Sequence, residues 1–142
     1  MSYHSLGVRT TNVTTGNACL EIINDGTSTV KLLELTITMA ATTASTFGIG
    51  RPAAKGITPT SPVVLAPEDS SVPDSLVKAA LAWGTGPTIP AKFFKRTSLP
   101  ATVGAGRVIA FPKGISIPVG GTLIIWNLSA TGVSDIDFVV SV

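Results

Sequence analysis

The sequence predicts an all-β chain folded as an antiparallel β-sandwich of about eight strands. Three observations predict it. Glycine and proline recur along the whole chain with β-branched stretches between them, the punctuation of many short strands. One stretch sets Leu33, Leu35, Ile37 and Met39 against Glu34, Thr36 and Thr38, the period of a strand with one buried face. The 142 residues suit one domain, and about eight strands in that length pack most naturally as two sheets with Greek-key connections. No repeat with a period of about 20–50 residues is present, which sets aside solenoids and propellers.

Taken in order, residues 1–17 read as an N-terminal arm and 18–142 as the sandwich. Ala18 to Asn24 and Thr29 to Met39 flank Asp25-Gly26, a short-range hairpin signal because both residues tolerate positive φ. Thr46 to Ile49 adds a short strand before Gly50-Arg51-Pro52. From Arg51 to Asp74 prolines stand at 52, 59, 62, 67 and 73, so this stretch is mainly loop, with Val63-Val64-Leu65 its one strand. A connection this long either meets a partner or covers its own sandwich, and the sequence leaves both open. Ser75 to Trp83 is rich in helix formers behind a Ser or Asp cap. It also reads as a strand with Val77, Ala79, Leu81 and Trp83 on one face, and the Gly84-Thr85-Gly86-Pro87 stop favours the strand. Ala91 to Lys95, Arg107 to Phe111, Thr122 to Leu128 (entered from Gly114 to Gly121) and Asp135 to Val142 complete the set. A polar turn from Ser129 to Ser134 precedes the last strand.

Composition narrows the function. Charged residues make up 13% of the chain, against about 25% in an ordinary soluble domain, and the mean hydropathy is positive. So little charge implies that protein neighbours cover much of the exterior. The competing reading is a surface solvated by the many Thr and Ser hydroxyls. The net charge of +2 is too small to point to nucleic acid. No long uncharged apolar run points to a membrane span. Met1 to Ser5 lack the basic and apolar regions of a secretory signal. Cys19, the only cysteine, has no disulfide partner, and between Ala18 and Leu20 it reads as buried.

Chemistry-bearing residues are sparse. His4 is the only histidine, a poor start for a nucleophilic triad or a zinc site. Glu68, Asp69 and Asp74 match no calcium-loop spacing. Asp135 and Asp137 share the solvent side of a strand that also carries Ile136 and Phe138. Gly48-Ile49-Gly50 and Gly104-Ala105-Gly106 lack the following helix that a phosphate cradle needs, so both read as turns. The expectation is no catalytic residue, metal, cofactor or small-molecule substrate. Lys92-Phe93-Phe94-Lys95-Arg96 is the one basic cluster with interleaved aromatics. On a strand, Lys92 and Phe94 face one way, and Phe93 and Lys95 the other. An acidic protein partner suits it at least as well as stacked nucleic acid, and a solvated strand end is the plainer reading.

The order of motifs adds a resemblance. The segment LTITMAATTASTFGIGRP (35–52) is followed by Leu81-Ala82-Trp83-Gly84 with Pro87 and Pro90. Then come Phe94-Lys95-Arg96, Leu99-Pro100-Ala101-Thr102 and FPKGISIPVGGTLIIWN (111–127). Over residues 18–142 this resembles small virion proteins of tailed phages, including cement or decoration proteins of icosahedral capsids. The resemblance implies a jelly-roll fold, homodimers or homotrimers, and binding to the major capsid protein. It also implies a place on the capsid surface after assembly in the host cytoplasm. The contacts are expected on the arm, the Arg51 to Asp74 loop and the basic cluster, at Tyr3, His4, Arg9, Arg51, Lys55, Lys92, Lys95 and Arg96. Two other classes stand beside this one. A carbohydrate- or receptor-binding module of a phage fibre or tail would stack sugars on Tyr3, Trp83 or Trp126. A small enzyme on a β-sandwich is the other, and the lone histidine speaks against it.

Overall fold

The computed structural model describes residues 2–129 and 132–142. Met1 of the expected arm, and Ala130 and Thr131 of the expected turn, lie outside the described residues. The strands are β1 Tyr3–Arg9, β2 Ala18–Asn24, β3 Val30–Met39, β4 Ser45–Gly50, β5 Ile57–Pro59, β6 Val63–Val64 and β7 Ala66–Pro67. They continue with β8 Val77–Ala80, β9 Trp83–Thr85, β10 Lys95–Leu99, β11 Gly106–Ile117, β12 Thr122–Asn127 and β13 Ser134–Ser141. Thirteen strands among the described residues replace the expected eight or so. The five short strands β5 to β9 all fall between β4 and β10, and of these β6 and β8 lie in the strands expected over Val63 to Leu65 and Ser75 to Trp83.

One sheet has the order β11-β3-β13-β1-β7 and the other β10-β4-β12-β2-β8-β6. Leaving aside these five short strands, the chain pairs with itself from its ends inward. β1 lies antiparallel to β13, β2 to β12, β3 to β11 and β4 to β10. This is one long hairpin rolled into two sheets, the jelly-roll form of the β-sandwich. The stretch between β4 and β10 is the tip of that hairpin.

The core follows from period two. Leu35, Ile37 and Met39 of β3 and Ile136, Phe138 and Val140 of β13 point inward from one sheet. Leu20 and Ile22 of β2, Phe47 and Ile49 of β4, and Leu123 and Ile125 of β12 meet them from the other. The pairing of β13 with β3 shifts register between Val139 and Val140, and Leu33 has no partner in the ladder. This bulge turns Leu32 into the core, and Leu33 is left half-buried. Cys19 is fully buried, with its thiol donating to the Ile125 carbonyl at 3.3 Å. Burial pushes that thiol up to about 12.

Four sequence expectations change. The arm is β1, bonded to β13 along Tyr3 to Arg9, because His4, Leu6 and Val8 alternate inward while Tyr3, Gly7 and Arg9 stay exposed. The Asp25-Gly26 turn makes no hairpin, since β2 and β3 belong to different sheets. Buried Asn24 redirects the chain instead. Its amide donates to Ser28 O and Ile117 O, and its Oδ1 accepts from Gly26 N–H. The strand expected over Ala91 to Lys95 begins only at Lys95. Gly48-Ile49-Gly50 lies within β4 and is no turn. Ser75 to Trp83 is extended, as favoured, with Val77 and Ala79 in the core. A break after Ala80 sends Trp83 away from their face.

The long tip is the covering loop. Its middle closes one side of the sandwich like a strap. Val63 and Val64 pair with β8 at the edge of one sheet, and Ala66 and Pro67 pair with β1 at the edge of the other. Leu65 between them is fully buried in the core. At the opposite side β10 and β11 are the last strands of their sheets among the described residues. Leu65→Ala should therefore cost about 2–5 kcal/mol in a denaturant titration. Val63→Ala, on an exposed neighbour, should stay within about 0.5 kcal/mol. Above about pH 9 the Cys19 thiol ionises in the unfolded chain while the folded one keeps its proton, so stability falls as pH climbs towards 12. A thiol reagent at neutral pH should label Cys19 at the rate of global unfolding. Labelling as fast as that of a free thiol would show that the site opens locally.

Candidate functional site

The outer face of the six-stranded sheet is covered from within the chain. β12 reads Leu-Ile-Ile-Trp because both of its faces are buried. Leu123 and Ile125 enter the main core, while Ile124 and Trp126 lie in a second cluster with Ala18. Trp83, Phe93 and Leu128 pack onto that cluster. Gly48 and Gly50 of β4 form the slot for Phe93. A Cβ at Gly48 would lie 2.7 Å from Leu128 and 2.9 Å from the Phe93 ring, and one at Gly50 3.0 Å from Lys92 O. The alternating Gly-Ile-Gly inside a strand was the sequence signal for this close approach.

Glu21, which the sequence did not single out, anchors the covering layer. It is 1% exposed on the outer side of β2. Its Oε1 accepts from Trp83 Nε1–H at 2.8 Å, and its Oε2 accepts from Gly56 N–H at 3.2 Å. A Cβ at Gly56 would strike the Trp83 indole. The two-stranded β5–β9 sheet holds Gly56 and Trp83 in register through Ile57 with Thr85 and Pro59 with Trp83. Trp126 is fully buried and out of reach of a ligand. Trp83 is half-buried and lines a polar groove of about 460 Å³ with Asn12, Asn17 and Pro87.

Of the eight expected contact residues, four come together. Arg51 and Lys92 line an open apolar groove of about 550 Å³ with Pro90, Phe93 and Phe94, and exposed Lys95 and Arg96 continue the chain from Phe94. The Arg51 guanidinium lies 4.9 Å from the Phe94 ring centroid and donates to Ser116 O at 2.7 Å. Lys95 and Arg96 follow on edge strand β10. Lys55 is outside that groove but shares an adjoining pocket with Arg51, its Nζ 3.4 Å from Gly120 O. Tyr3 and Arg9 sit on β1 in the other sheet, outside this cluster. His4 is not a surface contact. It is 1% exposed because it falls on the inward phase of β1, with Nε2 3.1 Å from the Ser2 hydroxyl.

The acidic residues fall elsewhere. Arg9 donates to both carboxylate oxygens of Asp135, at 2.8 and 3.1 Å. Its hydrogen bonds hold that carboxyl below the usual range. Asp137 is exposed on the same face, as the strand period predicts. Glu68, Asp69 and Asp74 are exposed beyond the strap. Asp69 Oδ1 accepts from the Ser71 backbone N–H and hydroxyl, which lowers its pKa. Among the described residues, no group of three or more His, Cys, Asp or Glu is placed to hold a metal ion.

No protein-family model and no curated protein matches the chain. Among solved structures, an alignment with the decameric BFDV capsid protein covers 98% of this chain and 94% of that one. It has 11% identity and a TM-score of 0.16, a likeness that carries no argument about fold or function.

Glu21 provides the measurable test of the covering layer. Trp83→Phe keeps the ring but strips a buried carboxylate of a donor, so it should cost about 1–3 kcal/mol in equilibrium unfolding. An unchanged midpoint and slope would show that Trp83 does not tie the layer down.

Proposed function

We propose that this chain is a structural virion protein that binds and stabilises an icosahedral phage capsid as a cement or decoration protein. One observation carries the reading. A surface with few charges also exposes large apolar side chains at both edges of the sandwich, Phe94 and Val108 on one side and Val63 and Leu76 on the other. Such a surface gains by being covered. Arg51 and Lys92 at the Phe94 groove and Lys95 and Arg96 on β10 are the contact residues of this reading, with Tyr3 and Arg9 on the outer face of β1 and Lys55 near Gly120.

The mechanism is mechanical. A protein that binds only the assembled shell stabilises that state through linkage, by about 2.7 kcal/mol per site when the free protein is at about a hundred times its Kd. Repetition over a lattice lets each contact be weak. The polar groove beside Trp83 supports a second reading, a carbohydrate- or receptor-binding module, because an indole flanked by Asn12 and Asn17 suits a sugar ring.

Purified protein mixed with bare tailed-phage shells should sediment with them and raise the temperature at which they break. The Arg51→Ala, Lys95→Ala, Arg96→Ala variant should bind more weakly, with a shallower salt dependence. No sedimentation with any shell, together with retention on a glycan array that Asn17→Ala abolishes, would select the second reading.

A further inference from the structure

The two sides of the sandwich carry opposite charge. At one end stands β10 with Lys95 and Arg96, flanked by Arg51 and Lys92. Beside it β11, the edge of the other sheet, adds Arg107 and Lys113. No aspartate or glutamate occurs from residue 75 to residue 134, so neither edge strand brings its own counter-charge. At the other end are β6 and the strap, followed by Glu68, Asp69 and Asp74. Residues 56 to 77 contain no lysine or arginine.

Among the described residues neither set forms an ion pair within the chain. The ion pairs among the described residues are Arg9 with Asp135 and Lys78 with Asp25, and they use none of these groups. Nor does the fold let the two sets meet. β10 and β6 are the first and last of six strands, so five spacings of about 4.8 Å hold them roughly 24 Å apart. Each charged rim also surrounds exposed apolar surface. Phe94 is 44% and Val108 61% exposed at the basic edge, and Val63 is 48% and Leu76 57% exposed at the acidic edge.

We propose that the basic β10–β11 edge of one copy docks on the acidic strap edge of a second copy, head to tail. The surface that complements each edge in charge and apolar content is the opposite edge of the same chain. A contact between unlike patches is heterologous, so it closes into a ring or propagates along a lattice. It differs from a two-fold dimer formed through the β10–β11 edge alone, which would put basic edge on basic edge. This builds on the structural-protein reading above, yet its test needs no shell.

The test is sedimentation of the purified full chain over a range of concentrations at low and high salt. Wild type should self-associate, and added salt should weaken the association. Lys95→Glu with Arg96→Glu reverses the charge of β10 itself and weakens the basic edge, and Glu68→Lys with Asp74→Lys makes the strap edge net basic. All four side chains are exposed, and thermal melting by circular dichroism checks that each variant folds. Each pair of changes alone should weaken association roughly tenfold or more. An equimolar mixture of the two variants should associate again, and so should one chain carrying all four changes. The proposal is overturned by a wild type that stays monomeric, by reversals without effect, or by a mixture and a fourfold variant that both stay apart. A monomer that still sediments with shells would remove the head-to-tail contact and leave the cement reading standing. Salt-sensitive assembly without shell binding would do the reverse.

Discussion

The ladder between Tyr3–Arg9 and Ser134–Ser141 joins strands from opposite ends of the chain over seven residue pairs, and the architecture hangs on it. With β1 bonded to β13, the pairs inside it fall into place as the halves run antiparallel, β2 with β12, β3 with β11 and β4 with β10. Each pair closes a shorter loop than the one outside it, so the cheapest closure is the innermost. Contacts this distant in sequence place the fold among slow-forming topologies. They also explain the continuous apolar character of β12, which lies between β2 and β4 with both faces covered.

The stretch at the tip of the rolled hairpin does two separate physical jobs. Its outer parts, β5 and β9, spread a layer over the six-stranded sheet, fixed by Glu21, Trp83 and the Phe93 slot above Gly48 and Gly50. Its middle part inserts Leu65 between the sheets and adds β6 and β7 to their edges. The result is asymmetric. One side of the sandwich is strapped shut, while the other presents two edge strands whose lysines and arginines discourage indiscriminate strand pairing. Prolines at 59, 62 and 67 suit this work, because short edge strands need few backbone donors.

Local alternation made part of this legible in the sequence. β3 and β13 could be read because buried and exposed positions alternate there, and the sandwich class follows from many such strands. Sheet membership could not be read, because it depends on distant partners. Asp25-Gly26 marks a turn in the chain, but whether the next strand joins the same sheet depends on where Asn24 finds its acceptors. β1 reads as an arm because its inward positions include the polar His4, which leaves only Leu6 and Val8 as an apolar alternation. Leu33 was placed in the core because no local feature announces the bulge beside it. For the candidate site, Lys92, Lys95 and Arg96 are sequence neighbours and were visible as a cluster. Arg51 joins them only through β4 and β10, and Glu21 gains its role from Gly56 and Trp83, far along the chain.

The two indoles belong to different layers. Trp126 is sealed in the sheet, its Nε1–H among the buried groups without an acceptor, while Trp83 belongs to the cover. A layer whose buried ties to the sheet centre on the Glu21 carboxylate and the Phe93 slot can lift while the sandwich beneath stays closed, since sub-global opening costs less than unfolding the whole. The molecule thus carries an optical reporter for each event, and emission from single-indole versions can separate the breathing of the cover from the melting of the body.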